Sequence, residues 1–410
     1  MRMTASDFTS NKEIKNIIIK LKNDIPGKTF SDVIDDEGHQ YVDLVQEGGG
    51  VLGIALLGYT YVLEQMCIRF FSLGGTSAGA INTLLLASVD KIENPKTEKI
   101  IEILLNQDLF DLVDGSFMVK KLFKAIKNNS FILFKILWTL TILPHLLKYE
   151  GLNPGDYFLN WISEILKKYN VHTTNDLLNK QNYGGIKIRE GIKSTIQGLH
   201  PKLKIITAEI TTETRVIFPE MNFLFWDNPS DVNPAKYIRA SMSIPVFFQP
   251  FKVKTGSSIK KSDWETVVEY YGKLPEEVCF VDGGIMSNFP IDVFHNYYIV
   301  PRLPTFGVKL GDDRDSQSSV SSIPQLLMSV FNSSRHVLDY QFLLKNEDYE
   351  KLISKINVGS HNWLDFSISD TDKLDLFIRG AEAASEFLKT FNWEKYKVIR
   401  AGLIKKNENK

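Results

Sequence analysis

Apolar and polar positions divide the chain into two kinds of segment. Short, nearly continuous apolar runs bounded by glycine read as buried strands, and longer runs with apolar residues three and four apart read as helices. The first strand is Tyr41-Val42-Asp43-Leu44-Val45, followed by Gly48-Gly49-Gly50 and an apolar helical stretch from about Val51 to Glu64. Phe70-Phe71-Ser72-Leu73 reads as a second buried strand. It runs into Gly74-Gly75-Thr76-Ser77-Ala78-Gly79, and a helix of small and apolar residues continues from Ala80 to Ser88. Strand, turn and helix, twice over, predict a parallel sheet with crossover helices.

Strand signals then vanish from about Pro95 to Leu178, where apolar residues keep helical spacing. The alternation resumes with strands at Leu203 to Glu209 and Arg215 to Phe218, and a helix from Pro234 to Met242. A buried strand, Glu277 to Val281, runs into Asp282-Gly283-Gly284, and another covers Thr305 to Leu310. Ile323 to Lys345 and Asp372 to Phe391 read as long amphipathic helices, with Gly311 to Ser322 as a polar loop before them. The expected organisation is a polar N-terminal surface arm (1–40, with a short helix near Ile14 to Ile19) and an α/β domain (41–310) with a helical insertion at about 95–178. A C-terminal helical extension (311–410), packed on the same domain, ends in a frayed polar tail.

Composition narrows the partners. The 410 residues include 48 basic and 49 acidic side chains, a formal net charge of −1, so there is no global positive field to draw nucleic acid. The apolar and charged fractions, 43% and 24%, are those of an ordinary globular protein. Cys67 and Cys279 stand in no metal or redox motif and read as reduced, largely buried thiols. No apolar stretch follows the N-terminal Met-Arg-Met-Thr, so a cytoplasmic protein without a secretory leader is expected.

Gly75-Thr76-Ser77-Ala78-Gly79 fits G-x-S-x-G between a strand and a helix. Such a sharp turn leaves no room for a Cβ at its flanks, lifts the serine hydroxyl clear of the backbone and sets it at a helix N-terminus. Gly48-Gly49-Gly50 likewise joins a strand to a helix, and its backbone N–H groups can converge on an oxyanion. Gly48 to Gly53 also fits the dinucleotide pattern G-x-G-x-x-G, but that reading needs an acidic residue ending the second strand, where Gly75-Thr76-Ser77 stands instead. A serine nucleophile needs a proton acceptor. None of the seven histidines (His39, His145, His172, His200, His295, His336, His361) lies in a strand-end motif. Asp282 does end a strand, and in a parallel sheet it would share a crevice with Ser77. By itself, Asp-Gly is also a common β-turn.

In this order, the glycine-rich loop (Gly48, Gly49, Gly50, Val51, Gly53), the elbow (Gly75, Ser77, Gly79) and the D-G-G motif (Asp282, Gly283, Gly284) resemble the patatin-like phospholipase family. Arg239-Ala-Ser-Met-Ser-Ile-Pro245, the following Phe247-Phe248-Gln-Pro250, Asn288 and Pro290 add to the likeness, which covers about residues 40–310. The resemblance implies a three-layer α/β/α fold with a mainly parallel central sheet. It also implies a Ser77–Asp282 dyad without histidine, backbone donors in the glycine loop, and a lipid ester substrate, with neither metal nor cofactor. A catalytically silent membrane- or partner-binding relative, or an acyltransferase or thioesterase on the same dyad, are the alternatives. The chain departs from the family pattern at Leu52, usually basic, and at Glu47, often Asp. The apolar run Phe131 to Leu147 falls short of the roughly 20 residues of a membrane span. It is expected to be a buried helix or lid over an acyl channel, or an element dipping into the bilayer beside Lys120, Lys121, Lys124 and Lys127.

Overall fold

The computed structural model describes residues 3–115, 148–311 and 323–408, with residues 144, 146 and 320. Nearly all of Phe131 to Leu147, the four lysines upstream and most of the loop 311–322 lie outside the described residues. The strands are β1 (Val33–Ile34), β2 (Gln40–Gln46), β3 (Ile68–Thr76), β4 (Gly151–Asn153), β5 (Lys187–Ile188), β6 (Leu203–Glu209), β7 (Thr214–Phe218), β8 (Val246–Phe248), β9 (Phe251–Lys254), β10 (Glu277–Asp282), β11 (Thr305–Leu310) and β12 (Ile353–Ile356). The central sheet runs β12-β11-β2-β3-β6-β10-β9, and the pairs from β12 through β6 are parallel. β3 is buried along its whole length, as a strand with both faces covered must be.

Connections from β2 to β3 and from β3 to β6 step one way across the sheet, while that from β11 to β12 steps the other way. Right-handed crossovers therefore set the helices Gly53–Gln65 and Ala78–Ser88 on one face and Ile323–Lys345 on the other. The direction reverses between β11 and β2, so a crevice opens at their carboxyl ends, where the glycine loop begins.

β10 departs from the expected direction: it pairs antiparallel with both β6 and β9. Strand ends shared in a parallel sheet thus do not bring Asp282 to Ser77. Register does: Thr76 pairs with Ile206, and Asp282 with the next β6 residue, Thr207.

Four other expectations need correction. The N-terminal residues are not a surface arm, because Ala5, Phe8, Ile14, Ile18, Leu21 and Phe30 join the main core. Phe8 meets Phe377 edge to face at 5.4 Å, and Lys28 Nζ donates to the end carbonyls of Leu388 and Lys389, at 2.7 and 2.8 Å. The helical stretch 95–178 contains β4, which pairs with β8. Cys67 is exposed and Cys279 half-buried. The C-terminal tail stays helical through Glu408. Among the described residues, no helix is long and apolar enough to cross a membrane.

The helix Gly53–Gln65 is apolar all round and buried from Ile54 to Glu64, as it must be between the sheet and a second helix, Asp370–Thr390. The two cross at glycines: a Cβ on Gly380 would overlap Ala55 O, and one on Gly58 would overlap Phe377 O. Gly380→Ala is expected to overpack this crossing and cost roughly 1–3 kcal/mol. A lowered urea midpoint at unchanged slope would register it, whereas an unchanged midpoint would show that the helices separate freely.

Candidate active site

The site begins with the elbow. β3 ends at Thr76, Ser77 takes φ +53° and ψ −120°, and the helix Ala78–Ser88 starts at once. A non-glycine residue held there costs on the order of 1–3 kcal/mol. The flanking glycines make the turn possible: a Cβ on Gly79 would overlap Gln46 O, and one on Gly75 would sit 2.5 Å from the Gly79 carbonyl. Ser77 N–H donates to Ser241 Oγ at 2.9 Å, and Ser241 Oγ donates to Ile206 O at 2.6 Å. Ser77 Oγ, almost buried, points its proton at Met242 Sδ, 3.4 Å away.

Asp282 is equally buried. Its backbone N–H donates to Ser243 O at 2.9 Å, and its Oδ1 accepts from Gly284 N–H at 2.8 Å. Oδ2 has no hydrogen-bond partner among the described residues. Burial raises the carboxyl above the usual range, opposed by the Arg335 guanidinium, the nearby Ser77 hydroxyl and the Gly284 amide. Arg239-Ala-Ser-Met-Ser-Ile-Pro245 is the brace behind both groups. Its Ser241 holds the elbow, its Met242 accepts the hydrogen bond of the serine hydroxyl and its Ser243 holds the aspartate. Arg239 fixes the brace from within, donating to Ser243 Oγ at 2.5 Å and to Gln249 O at 2.8 Å.

The glycine loop follows β2. Gly48 N–H is bound to Asn288 O at 3.0 Å and Val51 N–H to Trp363 O at 3.1 Å. Those two amides hold the loop in place, a correction to the expectation that Gly48 would face an oxyanion. The amides of Gly49 and Gly50 are left as the loop's candidates; Gly50 takes φ +54°. Gly53 lies against Ala78, the first residue of the elbow helix. Gly283 passes so close to Ile206 O that no Cβ would fit, and a Cβ on Gly284 would sit 2.9 Å from Asn288 Oδ1. Leu52 is buried in the core, so the basic side chain usual at that position is absent, and a cation reaches the loop from Arg335 instead.

Sequence reasoning singled out Ser77, Asp282 and the glycines, and the structure brings them together. It missed the parts played by Ser241, Met242 and Ser243, although they lie within the family-like segment Arg239-Ala-Ser-Met-Ser-Ile-Pro245. It missed Arg335 and Trp363 altogether, since a lone Arg or Trp in a C-terminal extension carries no motif. The histidines with described side-chain contacts are engaged elsewhere: His39 with Asp35, His295 with Tyr349 and His361 with Asp375.

A glycine loop at a sheet switch point, an elbow serine and a buried carboxylate at matching register place the chain among α/β proteins built around a strand-to-helix serine. More particularly, it belongs to the patatin-like phospholipase family, whose model matches residues 44–295. It is 28% identical over 355 residues to the uncharacterized protein YqhO of Bacillus subtilis (strain 168), covering 86% of this chain and 100% of that one. It is also similar to the crystal structure of VipD from Legionella pneumophila. That likeness has 16% identity and a TM-score of 0.41, over 89% of this chain and 71% of the other.

The raised Asp282 carboxyl has a consequence for stability. Because its folded pKa lies above the ordinary 3.8, protonation favours the fold. That contribution is complete below the unfolded value and lost as pH rises through the folded one. Asp282→Asn, which cannot ionise, is therefore expected to melt higher than wild type at pH 7, by a margin that narrows toward pH 4. Paired thermal scans at the two pH values test this, and an equal margin at both would refute it.

Proposed function

We propose that the protein hydrolyses lipid acyl esters, with Ser77 as nucleophile and Asp282 as its base. One observation carries this reading. A serine in a strained backbone conformation faces a buried carboxylate whose second oxygen has no hydrogen-bond partner among the described residues, an arrangement that costs stability and that a silent scaffold would have no reason to keep. Turning Ser77 Oγ from Met242 Sδ toward Asp282 Oδ2 gives the proton a destination. The oxygen then attacks the acyl carbon, and the amides of Gly49 and Gly50 receive the oxyanion. The leaving alcohol takes a proton from Asp282, and water, deprotonated by the same carboxylate, releases the acyl group from Ser77. The N-terminus of the elbow helix favours the negative charge throughout.

Family membership supports a lipid substrate, and so does the helix Ile323–Lys345. Leu326, Val330, Val337 and Leu344, four and seven residues apart, are 48–64% exposed. The charged Arg335 and Asp339 turn the other way, Asp339 onto Ser287 and Phe289 and Arg335 onto Asn288. Among its described side chains, the helix thus turns these two charges inward, alongside Phe342 and Leu343, and leaves an aliphatic row outward beside the site. No carboxylate lies on this apolar row to repel anionic headgroups. A lipid surface fits such a face.

Ser77→Ala and Asp282→Asn are each expected to lower hydrolysis of phospholipid vesicles by at least about 10³-fold, with fluorophosphonate labelling lost in Ser77→Ala. Wild-type kcat/KM should fall on the acid side through a single limb above the usual aspartate range, because only ionised Asp282 accepts the proton. Full activity in Ser77→Ala would end this reading.

For the lipid contact, the double variant Val330→Glu, Val337→Glu is expected to sediment markedly less with phosphatidylglycerol vesicles than wild type. Equal sedimentation would remove the helix from the interface.

A further inference from the structure

Arg335 reaches the site from a helix that lies beyond the family-matched residues 44–295. Its Nη2 donates to Asn288 Oδ1 at 2.7 Å and lies 3.5 Å from Gly48 O. The guanidinium packs over the Trp363 ring, 5.6 Å from its centroid, and Trp363 O holds Val51 N–H. A Cβ on Gly284, two residues past Asp282, would sit 3.3 Å from Arg335 Nε. Asn288 is the hub of this cluster. Its Nδ2 donates to Glu47 Oε1 at 3.2 Å and to Gly48 O at 3.1 Å, and its backbone carbonyl receives Gly48 N–H. One planar cation therefore touches the glycine loop, the segment after Asp282 and the C-terminal extension together.

We propose that Arg335 is a positioning residue of the Ser77–Asp282 site: through Asn288 it fixes the glycine loop, and beside Asp282 it supplies that carboxylate's counter-charge. The charged groups around Asp282 agree with this assignment. Glu47, the other buried carboxylate of the cluster, is turned to Asn288 and the Leu310 amide, with Lys309 Nζ at 3.9 Å. Asp339, on the same helix as Arg335, is taken up by Ser287 and Phe289. The elbow presents only the Ser77 hydroxyl, and the brace presents the uncharged Met242 and Ser243. Arg335 is the cation that lowers Asp282 against the effect of burial. A guanidinium suits both tasks, since its fork can hold an amide oxygen while its charge faces the carboxylate.

The inference rests on the dyad reading, so its test carries one arm that needs no catalysis. In the full-length protein, Arg335→Gln is expected to lower kcat on a short, neutral acyl ester by on the order of 10- to 100-fold. It should also move the acid limb of kcat/KM to higher pH while leaving KM nearly unchanged. Arg335→Lys should return the limb toward its wild-type position and recover kcat only in part, because an ammonium cannot reproduce the fork. In the second arm, thermal scans of wild type, Asp282→Asn, Arg335→Gln and the double variant form a cycle. Asp282→Asn should raise the melting temperature more in the Arg335→Gln background than in wild type at pH 7, and equally in both at pH 4. An unmoved limb with an additive cycle would overturn the proposal, even if hydrolysis depends on Ser77. A coupled cycle in a protein whose hydrolysis survives Ser77→Ala would sink the dyad and leave the Arg335–Asp282 pairing standing.

Discussion

The pairing of β10 with β6 is the constraint on which the site depends. Side chains alternate across a strand, so a slip of one residue would turn Asp282 to the opposite face. The observed register, Asp282 beside Thr207 and Ile206 beside Thr76, puts the carboxylate across β6 from the elbow and nearly level with it. Other features read as guarantees of that register. Gly283 permits the close pass over Ile206 O, Thr207 Oγ1 donates to Val281 O at 3.1 Å, and Ser243 O receives the Asp282 amide.

Around this register the molecule concentrates cost. Ser77 sits in a disfavoured backbone region, Asp282 is a carboxylate without solvent, and two loop amides are held by segments far away in sequence. Each would be relieved by a simple substitution. The surroundings are correspondingly rigid: a wholly buried central strand, a nearly wholly buried helix after the glycine loop, and a glycine-to-glycine helix crossing behind it. Strain of this kind persists only where the neighbouring packing over-determines it.

The fold and its motifs were legible because their signals are local. Continuous apolar runs marked β2, β3, β6 and β11, and glycines at fixed offsets marked the elbow and both loops. What escaped was set by distant contacts. The direction of β10 depends on its partners β6 and β9, not on its own residues. β12 is four residues long, and its short run carries no signal apart from its neighbour β11. The N-terminal helix looked like a surface arm because only every third or fourth residue, Ile14, Ile18 and Leu21, faces inward. Arg335 has no sequence signature, and only a folded chain reveals that its helix turns charge inward and aliphatic side chains outward.

The clasp of Trp363 and Arg335 on the glycine loop also bears on the order of events during synthesis. A chain leaves the ribosome from its N-terminus, so the glycine loop and elbow emerge early, and the aspartate some two hundred residues later. β11, which borders the loop's strand, then Arg335 and then Trp363 emerge after the aspartate. Until they do, the loop lacks its neighbouring strand and both of its distant tethers. The site therefore stays unassembled until residues some eighty positions beyond the aspartate have been made.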